Sequence, residues 1–546
     1  MSSLSKLSVR LSLCALAAAL GACGGGSDSA STDPATPTPT EPVPTEPSGA
    51  DPLLAQQWHL FNTGQSGGTP GSDLSLGSLG ERGNGIKVAV VDGAVQIGHP
   101  DLVPNLLAGL SHNYATGSAD PSPSPAASGQ AFDDNVGGPD DAHGTAVAGI
   151  LLARDNNAYG GRGVAPRAQL MAFNPLIQST DVNMADAMAR AWQGGAAVVN
   201  NSWGPPDPAS GGTGSFYRAS PLWQQAVLQG VAQGRGGLGT VYLIASGNGG
   251  ASGDDANRDG YANFRAVLAV GAVDDHNRPT SYTERGANVL VAAPSGNVVG
   301  RFQSTAGVLT TDIAGPRGYA DASSITGADH TAFFDGTSAS TPMVAGVVAL
   351  MLQANPNLSW RDVRWILAAT AQSASLGAGQ PAAVPSAMNG HGFQSQVGFG
   401  RVNATAAVDM ARGFNTLGAE RTCVSGSLPG GAVLADDSLS PQTLTWNAGS
   451  CSLNVVEQVT LRLVSDHTYT GDLRVSLRSP AGRVSELSVP HNCRESICAS
   501  LLSGFSFGSV RHMGEAARGN WTLQVSDEQA LDTGRVLSWE VVLYGH

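Results

Sequence analysis

The chain has 546 residues, 41% hydrophobic and 13% charged, which excludes a single small module and points to two or more domains. Its 43 acidic side chains against 29 basic ones, a formal charge of −14, exclude nucleic acid as a partner, because polyphosphate binding needs a basic face. No apolar run reaches the ~20 residues of a membrane-spanning helix, so the bulk of the chain reads as soluble. In residues 1–22, Lys6 and Arg10 precede an apolar stretch from Leu11 to Leu20 and then small residues, the layout of an export signal.

That signal ends Leu20-Gly21-Ala22-Cys23, which resembles the lipobox of bacterial lipoproteins. The resemblance implies that Cys23 becomes a lipidated N-terminus, and Gly24 after it is similar to lipoproteins sent to an outer membrane. An ordinary signal peptide with an incidental cysteine is the alternative. Residues 23–50 are Gly, Ser, Thr, Pro and Glu almost throughout, a composition that buries no core and reads as a disordered tether. Contact with a membrane is then expected through the N-terminal lipid only.

Residues 51–413 alternate two patterns. Val88–Val91, Val198–Val199, Val241–Ile244, Val267–Val270 and Val289–Val291 read as buried parallel strands, while Thr145–Ala153, Val182–Gln193, Leu222–Gln233 and Thr341–Gln353 have helical spacing. This predicts an α/β domain with a central parallel sheet, whose ligands sit beyond the carboxyl ends of the strands. Over residues 414–546 the pattern changes to Val459–Val464, Leu473–Leu477, Trp521–Val525 and Trp539–Tyr544, which predicts an all-β sandwich. Cys423, Cys451, Cys493 and Cys498 all fall in this part; in an oxidising compartment they read as two disulfides with three possible pairings. The sequence-local pairing, Cys423 with Cys451 and Cys493 with Cys498, is the expectation. Zinc is the other use of such a set, but no CxxC spacing is present.

Three reactive side chains stand where these patterns break. Asp92 ends a strand, His143 opens a helix in Asp140-Asp141-Ala142-His143-Gly144-Thr145, and Ser338 opens another in Asp335-Gly336-Thr337-Ser338-Ala339-Ser340-Thr341-Pro342. Pro342 suits a first helical turn, where its missing N–H costs nothing. A serine at a helix start has backbone N–H groups beside it, so charge developing on a carbonyl it attacks is stabilised there. A neutral histidine can take its proton, and a buried carboxylate can orient that imidazole and stabilise its cation. Asn248, in Ala245-Ser246-Gly247-Asn248-Gly249-Gly250, can supply an amide donor to the oxyanion.

These four segments, in this order, resemble a subtilisin-fold serine protease over about residues 51–411. The stretch from Gln229 through Gly239 into Ala245–Gly250, and Asn201-Ser202-Trp203-Gly204-Pro205, are similar to the kexin and furin branch, the proprotein convertases. The β part also resembles their P domain through His467–Leu473, Gly514-Glu515, Gly519–Leu523 and Leu543-Tyr544-Gly545. The resemblance implies an endopeptidase that acts on protein or peptide substrates and cuts after Arg or Lys. Asp207 and Asp259 match the carboxylates lining the basic pocket, and Asp140 matches a further subsite carboxylate. It also implies calcium as cofactor. Asp207, Asp254 and Glu284 match one site; Asp51, Asp101 and Asn157, with the carbonyls of Arg154, Tyr159 and Gly161, match another. Such all-oxygen sets suit calcium better than zinc.

Two departures narrow the expected specificity. Gly93 stands where the convertases have a second aspartate, and Ala189 where furin-like enzymes have a glutamate, so a four-residue furin-type motif is not expected. Only the tether separates Cys23 from Asp51, where subtilisin-fold proteases usually carry a pro-segment; folding is expected to proceed unaided or with a separate chaperone chain. Two rival readings remain: a subtilase of broad specificity, and a catalytically silent surface lipoprotein whose β domain binds a partner.

Overall fold

Every apolar run read above as a buried strand of the α/β part lies in one sheet of the computed structural model, which describes residues 49–123, 141–206, 214–299, 302–303, 306–315, 318–319, 329–375, 382–493, 498 and 501–546. Its strands are β1 (Lys87–Val91), β2 (Gln169–Phe173), β3 (Val198–Asn201), β4 (Val241–Ala245), β5 (Val267–Val273) and β6 (Val289–Pro294), in the spatial order β2-β1-β3-β4-β5-β6. All neighbours are parallel. The strands are mostly apolar because helices cover both faces, with Lys87, Gln169, Asn200 and Asn201 at strand ends. Strand β2 was not foreseen: Gln-Leu-Met-Ala-Phe has no β-branched residue to mark it.

The crossovers include α1 (His143–Leu152), α2 (Asp181–Gln193) and α3 (Pro221–Gln233). Two helices follow the sheet: α4 (Thr337–Ala354) packs on β3 to β6 and on α1, and α5 (Trp360–Thr370) is started by a capping box between Ser359 and Asp362. Then comes α6 (Ala404–Arg412). By length and composition alone α4 could cross a membrane, yet nearly all of it is buried in the protein core. Two short antiparallel pairs lie after β6: β7 (Val298–Val299) with β8 (Phe302–Gln303), and β9 (Val308–Thr311) with β10 (His330–Phe334).

Pro342 departs from the reading above, because α4 begins at Thr337 and the proline lies one turn inside it. The Ser338 carbonyl that a residue-342 N–H would satisfy instead accepts the Ser202 hydroxyl at 3.1 Å.

The C-terminal part is an antiparallel sandwich. One sheet holds β11 (Arg421–Val424), β12 (Leu428–Pro429), β14 (Val456–Ser465), β17 (Phe505–Ser509) and β19 (Val536–Gly545); the other runs β13 (Gln442–Asn447), β18 (Asn520–Asp527), β15 (Leu473–Arg478), β16 (Val484–Ser488). Leu461, Leu463, Val475, Phe507, Trp521 and Val541 fill the space between them. Disulfides join Cys423 to Cys451 and Cys493 to Cys498.

The two parts belong to one compact unit, Pro47–His546, and their seam is both charged and apolar. Glu457 at the start of β14 is buried and accepts from Arg361 Nε at 2.9 Å, with Arg364 at 3.5 Å. Val510 and Met513 enter the core of the α/β part. The Asn257 amide makes two bonds to the backbone of Gly508, each 2.9 Å, as one strand does to another. The signal, the tether as far as residue 48 with Cys23, Asp140 and Asp207 lie outside the described residues; the last tether residues are placed, with Gly49 bridged to Asn157.

Candidate active site

The parallel sheet brings three of the singled-out segments to its carboxyl edge. Asp92 follows directly on β1 and is fully buried; His143 is the first residue of α1, and its Nδ1 lies 2.7 Å from Asp92 Oδ1. The Gly93 N–H donates to the same oxygen at 2.8 Å. Asp141 steadies the helix start by accepting the His143 N–H at 2.7 Å. Burial works against the imidazolium, but the Asp92 carboxylate, helped by Asp141, outweighs it and holds His143 above the ordinary histidine range. An imidazole so placed is anchored through Nδ1, which leaves Nε2 for proton transfer.

Ser338 is the second residue of α4, among the N–H groups that open the helix. Its hydroxyl donates to the Ser202 carbonyl at 3.2 Å. The Ser202 loop is tied in turn to the strand of Asp92, since the Trp203 indole donates to the Val91 carbonyl at 3.0 Å. Gly336, immediately before the helix, has φ 78°, a left-handed conformation suited to glycine. Asn248 lies exposed beside it. Its Oδ1 accepts from both the N–H and the hydroxyl of Thr337, each at 2.9 Å, which fixes the amide orientation and turns Nδ2 outward as a donor.

Next to these groups a cavity is lined by Gly204, Pro205, Gly247, Asp254, Asp259 and Glu284. Asp259 Oδ1 accepts the Tyr261 N–H at 2.7 Å, and Glu284 Oε1 accepts the Gly249 N–H at 3.0 Å. A side chain at Gly247 would collide with the Glu284 carboxylate, so glycine is required for that approach. Arg258, which the sequence reading did not single out, lines the same cavity and pairs with Asp254 at 3.1 Å. Ser202 and Asp141 were also missed as site residues, although both sit inside motifs quoted for other reasons. Asp207 and Asp140 cannot be placed, as they lie outside the described residues.

On the far side of α1, Asp51, Asp101 and Asn157 do come together. The Asn157 N–H donates to Asp51 Oδ1 at 3.1 Å and its amide to Asp101 Oδ1 at 2.7 Å, with all three residues buried. The loop alternates into the left-handed region at Asn156, Ala158 and Gly160, with φ of 55°, 60° and 51°. Ala158 in that conformation costs about 1 kcal/mol. A side chain at Gly160 would collide with Asp101 Oδ2. Burial, with Asp155 and Asp101 nearby, raises Asp51 above the usual carboxylate range despite two backbone donors. His330 Nε2 also lies 3.2 Å from Asp101 Oδ2. Oxygen donors crowded by a strained loop suit a hard cation, which Asp51, Asp101, Asn157 and the carbonyls of Arg154, Tyr159 and Gly161 could hold.

Residues 83–400 match the subtilase family, and residues 456–543 match the proprotein convertase P-domain. The chain is 33% identical over 507 residues to neuroendocrine convertase 2 of Sus scrofa, covering 91% of this chain and 74% of that protein. It is 32% identical to a PC3-like endoprotease of Hydra vulgaris, of which it spans 64%. A crystal structure of an Aeromonas sobria serine protease in complex with a chaperone matches with a TM-score of 0.76 and 26% identity, covering 91% of this chain and 95% of that one.

Proposed function

The chain belongs to the subtilase family, and from that premise we propose that it is an exported, calcium-dependent serine endopeptidase that cleaves after Arg or Lys. The observation that carries the reading is the 2.7 Å contact of buried Asp92 with His143, together with Ser338 at the start of α4 and the Asn248 amide held against Thr337. In the proposed reaction the Ser338 hydroxyl turns from the Ser202 carbonyl to the substrate carbonyl and gives its proton to His143 Nε2. Asp92 stabilises the imidazolium, which then protonates the leaving amine. Asn248 Nδ2 and the α4 N–H groups hold the oxyanion. Water then releases the acyl group by the same steps in reverse order.

Basic specificity rests on Asp259 in the adjoining cavity, because a buried guanidinium needs carboxylates around it. Asp207 and Asp140 are proposed to add to this set. Calcium would be held by the Asp51 group and by Asp207, Asp254 and Glu284. When bound, it supplies the positive charge that lets such carboxylates stay clustered. Residues 51–413 are proposed as the catalytic domain and 414–546 as a P domain, whose β17 braces the Asp254–Asp259 loop through Asn257 and Gly508. Cys23 is proposed as the lipid-bearing residue at a bacterial outer membrane, followed by the tether. A separate folding chaperone is proposed because the similar Aeromonas protease has a structure in complex with one.

One observation favours the rival of broad specificity: Arg258 already places a cation on Asp254. Fluorogenic peptides differing only in the residue before the cut separate the two. The proposal expects Arg and Lys peptides to exceed the Leu peptide by at least about 100-fold in kcat/KM, roughly 3 kcal/mol. Equal rates sink the pocket assignment, and inertness toward casein and a fluorophosphonate sinks the enzyme. Chelation that leaves both activity and melting unchanged sinks the calcium.

A further inference from the structure

The cavity lined by Asp254, Asp259 and Glu284 holds a cation that the proposed reaction does not use. Arg258 lines the same cavity, with a side chain only 2% exposed. Among the described residues it is the one basic side chain on that wall, against the carboxylates of Asp254, Asp255, Asp259 and Glu284. Its place is fixed along the loop. Nη2 donates to Asp254 Oδ1 at 3.1 Å and to the Gly253 carbonyl. The Arg258 N–H donates to the Asp255 carbonyl and its own carbonyl accepts the Tyr217 N–H, each at 2.8 Å. The preceding residue, Asn257, is bound to Gly508 of β17. The guanidinium is therefore part of the cavity wall and not a surface group that swings into water.

Its charge is only partly spent. A guanidinium carries N–H donors on all three nitrogens, yet here Nε and Nη1 are buried without a partner among the described residues. The carboxylate it pairs with is that of Asp254. The remaining field is felt by its neighbours. Burial first and Arg258 second push His491 of the sandwich down to about 4, and Arg258 pulls against the burial that pushes Asp255 up to about 6. A substrate arginine or lysine entering this cavity meets that field as well as the carboxylate of Asp259. Like charges in a poorly screened site repel, so the attraction at Asp259 is offset by the residue directly before it. A neutral side chain of the same shape meets neither force. One loop thus carries both the attractive and the repulsive element of selectivity.

We propose, resting on the proteolytic reading, that Arg258 is a specificity-determining residue that lowers the preference for a basic side chain below what Asp259 alone would give. The test uses the full chain and two peptides identical except for arginine or citrulline before the cut, which differ in charge and scarcely in shape. In Arg258→Gln the arginine-to-citrulline ratio of kcat/KM is expected to rise about tenfold over the native ratio, through a lower KM for the arginine peptide. In Arg258→Lys, which keeps the charge, the ratio is expected to stay within about twofold of native. Arg258→Met is a second neutral variant of similar length, with no polar head to bury, and is expected to follow Gln. An unchanged or lower ratio in the neutral variants overturns the proposal. So does a Lys variant that rises with them, because altered shape and not lost charge would then be the cause. A native chain that favours arginine over citrulline, with variants that keep its ratio, removes only the role of Arg258. A native chain that cuts neither peptide removes the proteolytic reading and this inference with it.

Discussion

The α/β part and the sandwich keep buried charge in different places. In the first, buried Asp92 and His143 stand at the carboxyl edge of the sheet and meet each other. In the second, Glu457 faces the neighbouring domain and is spent on Arg361, Arg364 and the C-terminal His546. The difference teaches a division of labour: one half keeps a buried acid–imidazole pair at the end of its sheet, and the other uses its charge to fasten itself to the α/β part. Asn257, between Asp254 and Asp259 in sequence, is the point where the fastening reaches the site.

The sharpest test of the reactive half is Ser338→Ala, which is expected to lower kcat by about 10⁶-fold without altering the melting temperature measurably, as calorimetry and peptide hydrolysis together would register. If melting fell instead, the helix start would be structural. Next in size, Glu457→Gln leaves two arginines facing a neutral buried partner and is expected to cost about 3 to 5 kcal/mol of stability, read from denaturant unfolding. The arginines overcome burial and hold Glu457 below the usual glutamate range, so its contribution is present above the unfolded pKa. That contribution is lost as pH falls through the lowered folded value, and the native chain should therefore lose its acid-side stability where the Gln variant has none to lose.

Asn257→Ala is expected to be milder. It removes both bonds to Gly508 and raises KM for an Arg peptide by about tenfold, roughly 1.4 kcal/mol, with kcat nearly unchanged. A drop in kcat alone would mean that the seam acts on the triad and not on the cavity. Smallest is the pH effect. Since proton abstraction needs neutral His143 and Asp92 raises its pKa, kcat/KM should fall as pH drops through a value above the ordinary histidine range. Asp141→Asn should move that limb to lower pH, seen in a pH-rate profile.

Much of this was legible in the chain. Valine-rich runs are buried on both faces of a parallel sheet and announce themselves, so five of six strands were read; Gln169–Phe173 was not, because unbranched residues carry no such mark. Helix α5 was also passed over, although Ser359 and Asp362 stand at capping-box spacing. Asp92, His143 and Ser338 could be singled out because each interrupts a periodic pattern, and Asn248 because its loop follows a buried strand. Arg258 could not, since a lone arginine in an acidic loop gives no hint that it will be buried and paired. Pro342 misled for a reason of distance: the hydroxyl that relieves its carbonyl comes from Ser202, more than a hundred residues earlier.

The seam at Gly508 also limits how the chain can be re-engineered. A β-carbon there would strike the Asn263 carbonyl, in the stretch that carries the cavity. One added methyl at this position would prise the modules apart, so trimming the molecule to a minimal hydrolase, or grafting a foreign C-terminal module onto it, has to reproduce a bare backbone at that single contact.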